Sequence, residues 1–357
     1  MKRILCIIEN LGSGGAERQI TGLAVMLKQA GYQVEVWYYV KKEFYLSFLS
    51  ENGVVCRYLE DAGHRGKRFW ILRKYIKEYN PNTIISYTVS TSMVAGVLKL
   101  LGADFKLIVS ERSTTQSISC REKIKFFIYR MADVIVPNSH TQGQFVENNF
   151  QKLSDKIKVI TNFVDMNKFS PAVIEGGEQE IKHIVCVGRM MYPKNILNFI
   201  HAISKVVADG YKIHVDWYGQ DLHDEYSNKC HKLIKELNLS DVFVFQPASH
   251  SIEDKYRKAD VFCLPSIYEG FPNVLCEAMS CGKPVLCSNV SDNSKIISNG
   301  QNGYLFDPLN INEIVSAITF FLNLPYEKKR MMGKFSREIA LEKFSKETFL
   351  NKYIDII

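Results

Sequence analysis

The feature that most restricts the fold of this chain is a regular alternation of short β-branched runs and longer helical patterns. Arg3–Glu9 and Gln33–Tyr39 are strand-like, and Ala16–Ala30 between them carries apolar residues at helical spacing. Strands that alternate with helices form a parallel sheet covered on both faces. The alternation runs to residue 160 and begins again at Ile181. The chain is therefore predicted to be α/β, with two Rossmann-like doubly wound domains.

The polar stretch Ser170–Glu180, which contains Pro and Gly, is the best candidate for the linker between these domains. Further strands are predicted at Val54–Tyr58, Thr83–Tyr87, Lys106–Ser110, Val134–Pro137, Ile157–Ile160, Ile181–Val187, Ile213–Tyr218, Val242–Gln246, Val261–Pro265 and Pro284–Cys287. Further helices are predicted at Arg68–Glu78, Lys123–Met131, Ile196–Asp209, Glu225–Leu237 and Asn273–Ser280, with helical patterns from Ile311 onward. No sequence repeat is evident.

Length and composition agree with this organisation and indicate a cytoplasmic protein. A chain of 357 residues suggests two domains. The apolar run Ile4–Ile8 is too short for a secretory signal, and no run is long enough to span a membrane. The nine cysteines include no CxxC pair, which favours reduced cysteines acting as small hydrophobic residues over a metal site.

The excess of positive charge lies in the first half of the chain. Residues 1–170 hold 24 Lys and Arg against 15 Asp and Glu, whereas the remainder holds 21 against 23. One basic cluster covers His64–Lys74, and another lies on the predicted helix between Arg121 and Arg130, among Ile and Phe residues. Basic and aromatic side chains on one helix suit an anionic membrane surface, although a solvated face beside a core stripe is equally compatible. No nucleic-acid motif accompanies the charge, so a nucleic-acid partner is not expected.

The first predicted strand is followed by a glycine-rich loop, Leu11–Glu17 (LGSGGAE), at the start of a helix. Glycine permits positive φ and close approach of a ligand to the backbone, and a helix N-terminus offers free N–H groups to a phosphate. The third glycine of the GxGxxG fingerprint is missing, which disfavours a nicotinamide dehydrogenase. A plain tight turn explains this loop equally well.

The second half opens in the same way but with cations. The strand-like run Ile184–Val187 is followed by GRMMYPKN, which contains Arg189 and Lys194. Arg offers a bidentate fork and Lys a point charge, and the ligand crevice of an open α/β sheet lies at the carboxyl ends of its strands. The two residues therefore suit a diphosphate; the alternative is two solvated loop cations.

The most informative segment is Ala259–Pro284. A predicted strand ends at Pro265, a loop with Glu269 follows, and a helix with Glu277 begins near Asn273, a good cap residue. The helix N-terminus can hold a phosphate, and Glu277 can accept hydrogen bonds from ribose hydroxyls. Glu269 is then free to face a sugar.

The spacing of Glu269 and Glu277 resembles the Glu–seven residues–Glu motif of retaining family 4 glycosyltransferases, whose GT-B architecture has two Rossmann-like domains facing across a cleft. Other segments resemble family motifs in the same order: Gly14–Glu17 the glycine loop, Gly188–Arg189 with Lys194–Asn195 the donor-phosphate motif, Ile160–Asp165 with Phe169 the domain crossover, and Asn302–Asp307 a turn after the donor site. The resemblance covers nearly the whole chain.

The resemblance implies a role for each matching residue in the second domain. Arg189 and Lys194 would bind the donor diphosphate and the charge that develops on the leaving group, Glu269 would contact the donor sugar, and Glu277 would hold the ribose. Arg189, Lys194 and Glu269 are the implied catalytic residues, and no metal or cofactor is expected. Backbone groups of one further segment would meet the sugar and phosphates: Gly270, Phe271, Pro272, Asn273, Val274 and Leu275.

In the first domain the resemblance implies that Gly14 and Gly15 approach the donor. Relatives often place a His just after the strand Lys106–Ser110, where this chain has a Ser-Glu-Arg sequence. This departure resembles a subgroup that acts in bacterial surface polysaccharide and lipid-linked oligosaccharide assembly. Glu111 or Arg112 is thus a candidate for contacting the donor sugar, and a structural salt bridge is the alternative.

The resemblance implies a retaining glycosyltransferase that moves a hexose or N-acetylhexosamine from a nucleotide sugar, UDP-linked by the subgroup likeness, to a lipid-linked oligosaccharide in surface polysaccharide or O-antigen assembly. It also implies an acceptor-binding domain over 1–169, a donor-binding domain over 170–342 and a C-terminal helix, about 343–357, that packs back on the first. With the basic first half, a peripheral position on the inner face of the cell membrane is expected. A nucleotide-sugar 2-epimerase of the same fold, which needs no acceptor, is the alternative; the intact set of charged residues argues against an inert sugar-binding or scaffold protein.

Overall fold

The computed structural model describes residues 1–112, 115, 117–172 and 179–357, without the side chain of Arg65. The chain divides into two compact units: unit 1 comprises Met1–Phe163 and Lys346–Ile357, and unit 2 comprises Val164–Ser345. Within the described ranges, no helix is both long enough and apolar enough to cross a bilayer.

Unit 1 is a parallel six-stranded sheet with helices on both faces. Its strands are β1 (Arg3–Ile7), β2 (Gln33–Tyr38), β3 (Val55–Tyr58), β4 (Thr83–Ser86), β5 (Lys106–Glu111) and β6 (Val134–Pro137). Its helices are α1 (Gly15–Gln29), α2 (Leu46–Glu51), α3 (Arg65–Tyr79), α4 (Val89–Leu100), α5 (Cys120–Tyr129), α6 (His140–Asn149) and, from the end of the chain, α14 (Lys346–Ile354), with 3₁₀ turns at Glu60–Gly63 and Gln151–Lys156.

Unit 2 repeats this plan. Its strands are β7 (Lys182–Val187), β8 (Ile213–Tyr218), β9 (Phe243–Gln246), β10 (Val261–Leu264), β11 (Val285–Ser288) and β12 (Gly303–Phe306). Its helices are α7 (Ile196–Ala208), α8 (Glu225–Glu236), α9 (Ile252–Lys258), α10 (Asn273–Ser280), α11 (Asn293–Ile296), α12 (Ile311–Leu322) and α13 (Tyr326–Phe344), with a 3₁₀ turn at Tyr192–Lys194.

The strand order explains where each unit can bind a ligand. It is β3-β2-β1-β4-β5-β6 in unit 1 and β12-β11-β10-β7-β8-β9 in unit 2, which is the same order read from the opposite edge. In both sheets the order reverses between the first and fourth strands, β1 and β4 or β7 and β10. Open α/β sheets bind ligands at the carboxyl ends of the strands at such a switch point. The predicted fold class of two Rossmann-like doubly wound domains is confirmed.

Each sheet separates two apolar cores, which explains why a central strand such as β10 has apolar, buried side chains at successive positions. All nine cysteines are free. Cys6, Cys186, Cys263 and Cys287 are fully buried among these strands. Burial raises the pKa of the Cys6 thiol to about 12, so this cysteine acts as a small apolar side chain.

The predicted strand Ile157–Ile160 is wrong. Only Ile157 pairs, in an isolated bridge to Ile135, and two further amide groups donate to β6 carbonyl groups before the chain leaves unit 1. Strand β12 and the helices α2, α6, α9 and α11 were not predicted from the sequence. Each of these elements has ten residues or fewer, so its apolar periodicity is too short to give a clear signal.

The chain leaves unit 1 at Phe163 and returns at Lys346. Phe163 belongs to unit 1 because the Gln19 side chain pairs with both its amide and its carbonyl, at 2.9 Å each. Val164 belongs to unit 2, where its amide donates to the Phe344 carbonyl at 2.8 Å. This divide lies before the predicted boundary at residue 169. Residues 173–178 of the predicted linker lie outside the described part of the chain.

Candidate functional site

The loops that follow β7 and β10 meet at the switch point of unit 2, and they bring Lys194 and Glu269 together. Lys194 Nζ lies 2.6 Å from Glu269 Oε1. The Ser266 hydroxyl donates to the same oxygen, also at 2.6 Å. The side chains of Lys194 and Glu269 are 18% and 13% exposed, so a ligand at this edge can still reach them. The cation and the carboxylate are therefore adjacent although 75 residues separate them in the sequence.

Two glycines make this arrangement possible. The stem of Lys194 lies across Gly188, where a β-carbon would come within 3.1 Å of Lys194 Cδ and Cε. A β-carbon at Gly219, just after β8, would come within 2.0 Å of the Gly188 carbonyl oxygen. That carbonyl also accepts a hydrogen bond from Trp217 Nε1 at 2.8 Å. The backbone beneath Lys194 is thus fixed by Gly219 and Trp217, two residues that sequence reasoning did not identify.

Asn195 joins the loops after three strands. Its side-chain amide donates to the carbonyl groups of Pro265 at 3.1 Å and Pro308 at 2.7 Å. Its backbone is left-handed, with φ of 58°, a conformation that Asn adopts more readily than most residues. Asn195 is buried, so it supports Lys194 and Glu269 from below and does not face a ligand itself.

Arg189 is placed differently from Lys194. Its side chain is exposed, and it has neither an ion pair nor a side-chain hydrogen bond within the described part of the chain. The structure thus brings Lys194 and Glu269 together and leaves the Arg189 guanidinium in solvent beside the same β7 loop. Such an arginine can turn towards an anion without first breaking another contact.

Ser291 holds the Glu269 backbone from the loop after β11. Its hydroxyl donates to the Glu269 carbonyl at 2.5 Å and accepts from the Glu269 amide at 3.2 Å. Ser291 has a left-handed backbone with φ of 50°. Positive φ is uncommon for a residue other than Gly, Asn or Asp, so this position stores some backbone strain. Nothing in the local sequence marks Ser291 as a support for the site.

Helix α10 begins at Asn273, as predicted, but Asn273 is not its cap. The cap position is Pro272, and the helix has no side-chain cap hydrogen bond. Glu277 lies on the second turn and is buried, and Tyr256 donates its hydroxyl to Glu277 Oε2 at 3.4 Å. Phe271, Pro272 and Leu275 bury their side chains in the core, while Gly270, Asn273 and Val274 are half-buried.

In unit 1, the glycine loop ends at the N-terminus of α1. Gly14 occupies the cap position with φ of −75°, and Gly15 is the first helical residue. A positive φ is therefore not the reason for glycine here. A β-carbon on Gly14 would come within 2.2 Å of the Glu17 carboxylate, which folds back over the first turn. A larger residue at Gly14 would therefore require the Glu17 side chain to move.

Glu111 forms the salt bridge that the sequence analysis gave as the alternative to a donor contact. Its Oε2 lies 3.1 Å from Lys125 Nζ, and the two side chains are only 1% and 3% exposed. Lys125 also pairs with Glu122 at 2.5 Å. Lys125 therefore faces the interior of unit 1, although its neighbours on α5 belong to the predicted basic surface.

Arg112 links β5 to the two places where the chain enters and leaves unit 1. Its guanidinium donates to Asn162 Oδ1 at 2.5 Å and to the hydroxyl groups of Tyr87 at 2.6 Å and Tyr353 at 2.9 Å. It also lies over the Tyr87 ring, 4.2 Å from the centroid. Burial raises the pKa of Tyr87 well above its usual value, so its hydroxyl stays protonated. Arg112, Asn162, Tyr87 and Tyr353 are called the arginine cluster below.

Several groups at the unit 2 edge can hold an anion: Lys194, Arg189 and the N-terminus of α10, whose dipole favours a phosphate. Within the described residues, no three His, Cys, Asp or Glu side chains are grouped as a metal site.

Two family models match the chain in succession. Residues 13–168 match the model described as Glycosyltransferase Family 4, and residues 174–339 match the model described as Glycosyl transferases group 1.

Individual proteins resemble the chain over nearly its whole length. An uncharacterized glycosyltransferase of Haemophilus influenzae is 26% identical, over 97% of this chain and 99% of that protein. A Campylobacter jejuni enzyme named N-acetylgalactosamine-N,N'-diacetylbacillosaminyl-diphospho-undecaprenol 4-alpha-N-acetylgalactosaminyltransferase is 25% identical, over 90% of each chain. The crystal structure of Anabaena HepE in complex with UDP superposes with a TM-score of 0.85 over 99% of both chains, at 18% identity. At that identity, HepE shows a shared fold.

Proposed function

We propose that this chain, which belongs to the glycosyltransferases that combine a family 4 domain with a group 1 domain, transfers a hexose or N-acetylhexosamine from a UDP-sugar to a lipid-linked oligosaccharide. We assign the donor to unit 2 and the acceptor to unit 1. The observation that carries the donor assignment is the Lys194–Glu269 pair at the switch point of the unit 2 sheet. A nucleotide sugar needs a cation for its diphosphate and an acceptor of hydrogen bonds for its sugar hydroxyls, and this pair supplies both.

The proposed reaction replaces one bond at the anomeric carbon of the donor sugar. The bond from this carbon to the phosphate oxygen breaks, and an acceptor hydroxyl oxygen bonds to the carbon from the same face, so the configuration is retained. The hydroxyl proton goes to the departing phosphate oxygen. Lys194 and Arg189 stabilise the negative charge that grows on the leaving diphosphate, without a metal ion. Glu269 accepts a hydrogen bond from the sugar and orients it.

Glu277 and the start of α10 complete the donor site in this proposal. Glu277 accepts hydrogen bonds from the ribose hydroxyls, and Tyr256 keeps its carboxylate oriented. The backbone from Gly270 to Leu275 contacts the sugar and the phosphates at the positive end of the α10 dipole. Gly14 and Gly15 of unit 1 are further residues that we propose for donor binding.

The nature of the donor and acceptor is supported by related proteins. The Campylobacter relative is named for transfer of N-acetylgalactosamine to a glycan on diphospho-undecaprenol, and the HepE structure contains UDP. On this support we propose a UDP-linked donor, a polyprenyl-diphosphate acceptor and a role in surface polysaccharide or O-antigen assembly.

A thermal-shift panel of UDP-, GDP- and ADP-sugars and NAD, run with a chelator, tests the donor proposal. A ligand at 100 times its Kd adds about 2.7 kcal/mol of stability, which is measurable. We expect a shift with UDP-sugars in the presence of chelator. A shift with NAD alone would contradict the proposal. The absence of a shift with every nucleotide sugar would contradict it as well. If the protein instead converts the UDP-sugar to its 2-epimer without an acceptor, its function is epimerisation and not transfer.

We further propose that one face of α5 attaches unit 1 to an anionic membrane surface. Ile124 and Phe127 are 58% and 62% exposed. Arg121 and Lys123 are exposed on the same helix and Arg130 is exposed at its C-cap, and these five residues are called the α5 face. Exposed apolar side chains flanked by cations suit the boundary between head groups and acyl chains.

Vesicle sedimentation tests the α5 face. We expect binding to vesicles with phosphatidylglycerol and weak binding to pure phosphatidylcholine. Replacing Ile124 and Phe127 with Ser removes apolar contact and should weaken binding about tenfold or more. Phe335→Ser, at an exposed phenylalanine of unit 2, is the matched control. Equal binding to both vesicle types, or no loss in the double variant, would contradict this assignment.

A further inference from the structure

A short surface segment of unit 1, Lys41–Phe48, is hydrogen-bonded to the glycine loop. The Leu11 amide donates to the Lys42 carbonyl at 2.8 Å, and the Tyr45 amide donates to the Leu11 carbonyl at 3.0 Å. A β-carbon on Gly12 would lie 3.8 Å from Lys42 Cβ and Cδ, so the Lys42 stem runs beside Gly12. The segment therefore forms one wall of the loop that precedes α1.

Two phenylalanines of this segment are held in solvent by a tyrosine that is anchored in the core. Phe44 and Phe48 are 61% and 39% exposed, whereas Tyr45 between them packs against the core around α1. The Tyr45 ring lies 5.0 Å from the Phe44 ring and 6.4 Å from the Phe48 ring. Exposed aromatic side chains grouped in this way indicate a contact surface.

The same segment is positively charged. Lys41 and Lys42 are exposed, and neither forms an ion pair within the described ranges of the chain. The carboxylate beside them, Glu43, accepts a hydrogen bond from the Tyr38 hydroxyl at 2.7 Å. Burial and this carboxylate raise the pKa of Tyr38, so the Tyr38 hydroxyl stays protonated and can donate to Glu43. Glu43 is therefore held towards β2, and the two ammonium groups are available to an anion.

We propose that the Lys41–Phe48 segment binds the diphosphate and the first isoprene units of the acceptor lipid. The two ammonium groups suit the diphosphate, and the phenylalanines suit the branched hydrocarbon next to it. The pairing with the glycine loop places this subsite beside Gly12, in the domain to which we assign the acceptor. This inference rests on the lipid-linked acceptor of the proposed function. It is separate from the α5 face, which lies over the core on the other side of the unit 1 sheet.

Calorimetry on the full chain tests this subsite with farnesyl diphosphate as a short probe. Inorganic diphosphate and farnesol are titrated in parallel, and saturating UDP occupies the donor site. We expect farnesyl diphosphate to bind at least about tenfold more tightly than either partial probe, because it engages both the charge and the apolar contacts. Binding of UDP is measured separately for every variant.

Two double variants separate the two parts of the subsite. Lys41→Gln with Lys42→Gln and Phe44→Ser with Phe48→Ser should each weaken farnesyl diphosphate binding about tenfold. The phenylalanine pair should leave inorganic diphosphate binding unchanged. Lys334→Gln with Phe335→Ser, an exposed pair on α13 of unit 2, is the matched control and should change nothing.

Wild-type affinity in both double variants would overturn the proposal, as would equal affinity for farnesyl diphosphate and inorganic diphosphate. Unchanged UDP binding with loss of the probe in the double variants supports it. Absence of UDP binding in the wild type would instead contradict the proposed donor, and the two failures are therefore distinguishable.

Discussion

The amino-terminal edges of the two sheets are built alike. In unit 1, the Asp133 amide donates to the Leu107 carbonyl at 2.9 Å, and the Leu107 amide donates back to the Asp133 carboxylate at 2.6 Å. In unit 2, Asp260 and His183 exchange the same pair of bonds, at 2.9 and 2.8 Å. Each aspartate stands just before a strand in an Ala-Asp-Val sequence. The same local sequence thus produces the same contact in two separate sheets.

In both units, a lysine makes further hydrogen bonds near this aspartate. Lys156 donates to two carbonyl groups just after α5, at 2.7 and 2.8 Å. Lys283 donates to two carbonyl groups at the end of α9, at 2.7 and 2.8 Å. Helix ends leave carbonyl groups without intrahelical partners, and a cation there is favourable. Burial lowers the pKa of Lys283.

The carboxyl edges differ. Unit 2 has Lys194 and Glu269 paired at a partly exposed position where a ligand can reach both. In unit 1 the charged groups at the end of β5 are committed internally: Glu111 to Lys125, and Arg112 to two tyrosines and Asn162. The contacts at the amino-terminal edges are thus common to both units. The loops at the carboxyl edges differ, and only those of unit 2 bring Lys194 and Glu269 together at a position that a ligand can reach.

The largest expected effect is at the unit 2 edge. Lys194→Ala should lower kcat by about 10²–10³, because removing one preorganised group that stabilises transition-state charge has that effect. Steady-state kinetics with saturating donor measures it. Lys229→Ala, which removes an exposed lysine from α8, is the matched control and should retain full activity. Near-normal turnover of Lys194→Ala with an intact fold would remove Lys194 from the mechanism.

Arg112→Ala tests whether the unit 1 edge is structural. It leaves Tyr87, Tyr353 and Asn162 without a shared donor, and we expect a loss of about 2–3 kcal/mol in the free energy of unfolding. Tyr353→Phe removes one hydroxyl and should cost about 1 kcal/mol. Urea unfolding measures both. Unchanged stability in Arg112→Ala together with lost UDP-sugar binding would show that Arg112 contacts the donor instead.

Glu277→Gln should act on donor binding more than on chemistry. The substitution keeps the shape of the side chain and removes its charge, so hydrogen bonds from the ribose hydroxyls weaken. We expect the donor KM to rise about tenfold, with a smaller change in kcat. Glu236→Gln, an exposed position on α8, is the matched control. A fall in kcat at unchanged KM would place Glu277 in the chemical step.

The sequence predicted the strands and helices, and it placed Lys194 and Glu269 in loops after strands, because these features depend on local patterns; it did not predict that the two side chains meet. Strands and helices follow from apolar periodicity, and a charged residue just after a strand lies at the carboxyl edge of a parallel sheet. Lys194 and Glu269 meet there because β7 and β10 are neighbours on either side of the switch point. The assignment of Arg189, Lys194, Glu269 and Glu277 to a donor stays a prediction.

The supports of these residues escaped the sequence analysis because they depend on distant contacts. Tyr353 lies 241 residues from Arg112, and no local pattern joins them. Ser291 holds the Glu269 backbone from a left-handed conformation, which nothing in its local sequence predicts. The repeated Ala-Asp-Val sequence was visible, but three residues are too few to be recognised as a repeat before their identical contacts are known.

The smallest expected effect is on the free energy of unfolding, when Asp133 and Asp260 at the amino-terminal edges of the two sheets are replaced in turn. Burial raises the pKa of Asp133, but the hydrogen bond from Lys99 and the Leu107 amide outweigh it and lower the pKa overall. Asp133→Asn should therefore cost about 0.5–1 kcal/mol at pH 7, as for a partly exposed ion pair. Because the folded-state pKa is below the unfolded one, this stability is complete above about pH 5 and is lost as pH falls below about 4.

Urea unfolding of the wild type and Asp133→Asn between pH 3 and pH 7 measures this difference, which should shrink as pH falls. Asp260→Asn is the comparison in unit 2, where within the described residues no lysine forms an ion pair with the aspartate. It should cost less at pH 7, because the substitution changes the backbone hydrogen bond and the longer-range attraction of Lys283 but breaks no ion pair. An equal cost at both positions would mean that the backbone contact, and not the Lys99 charge, supplies the stability in unit 1.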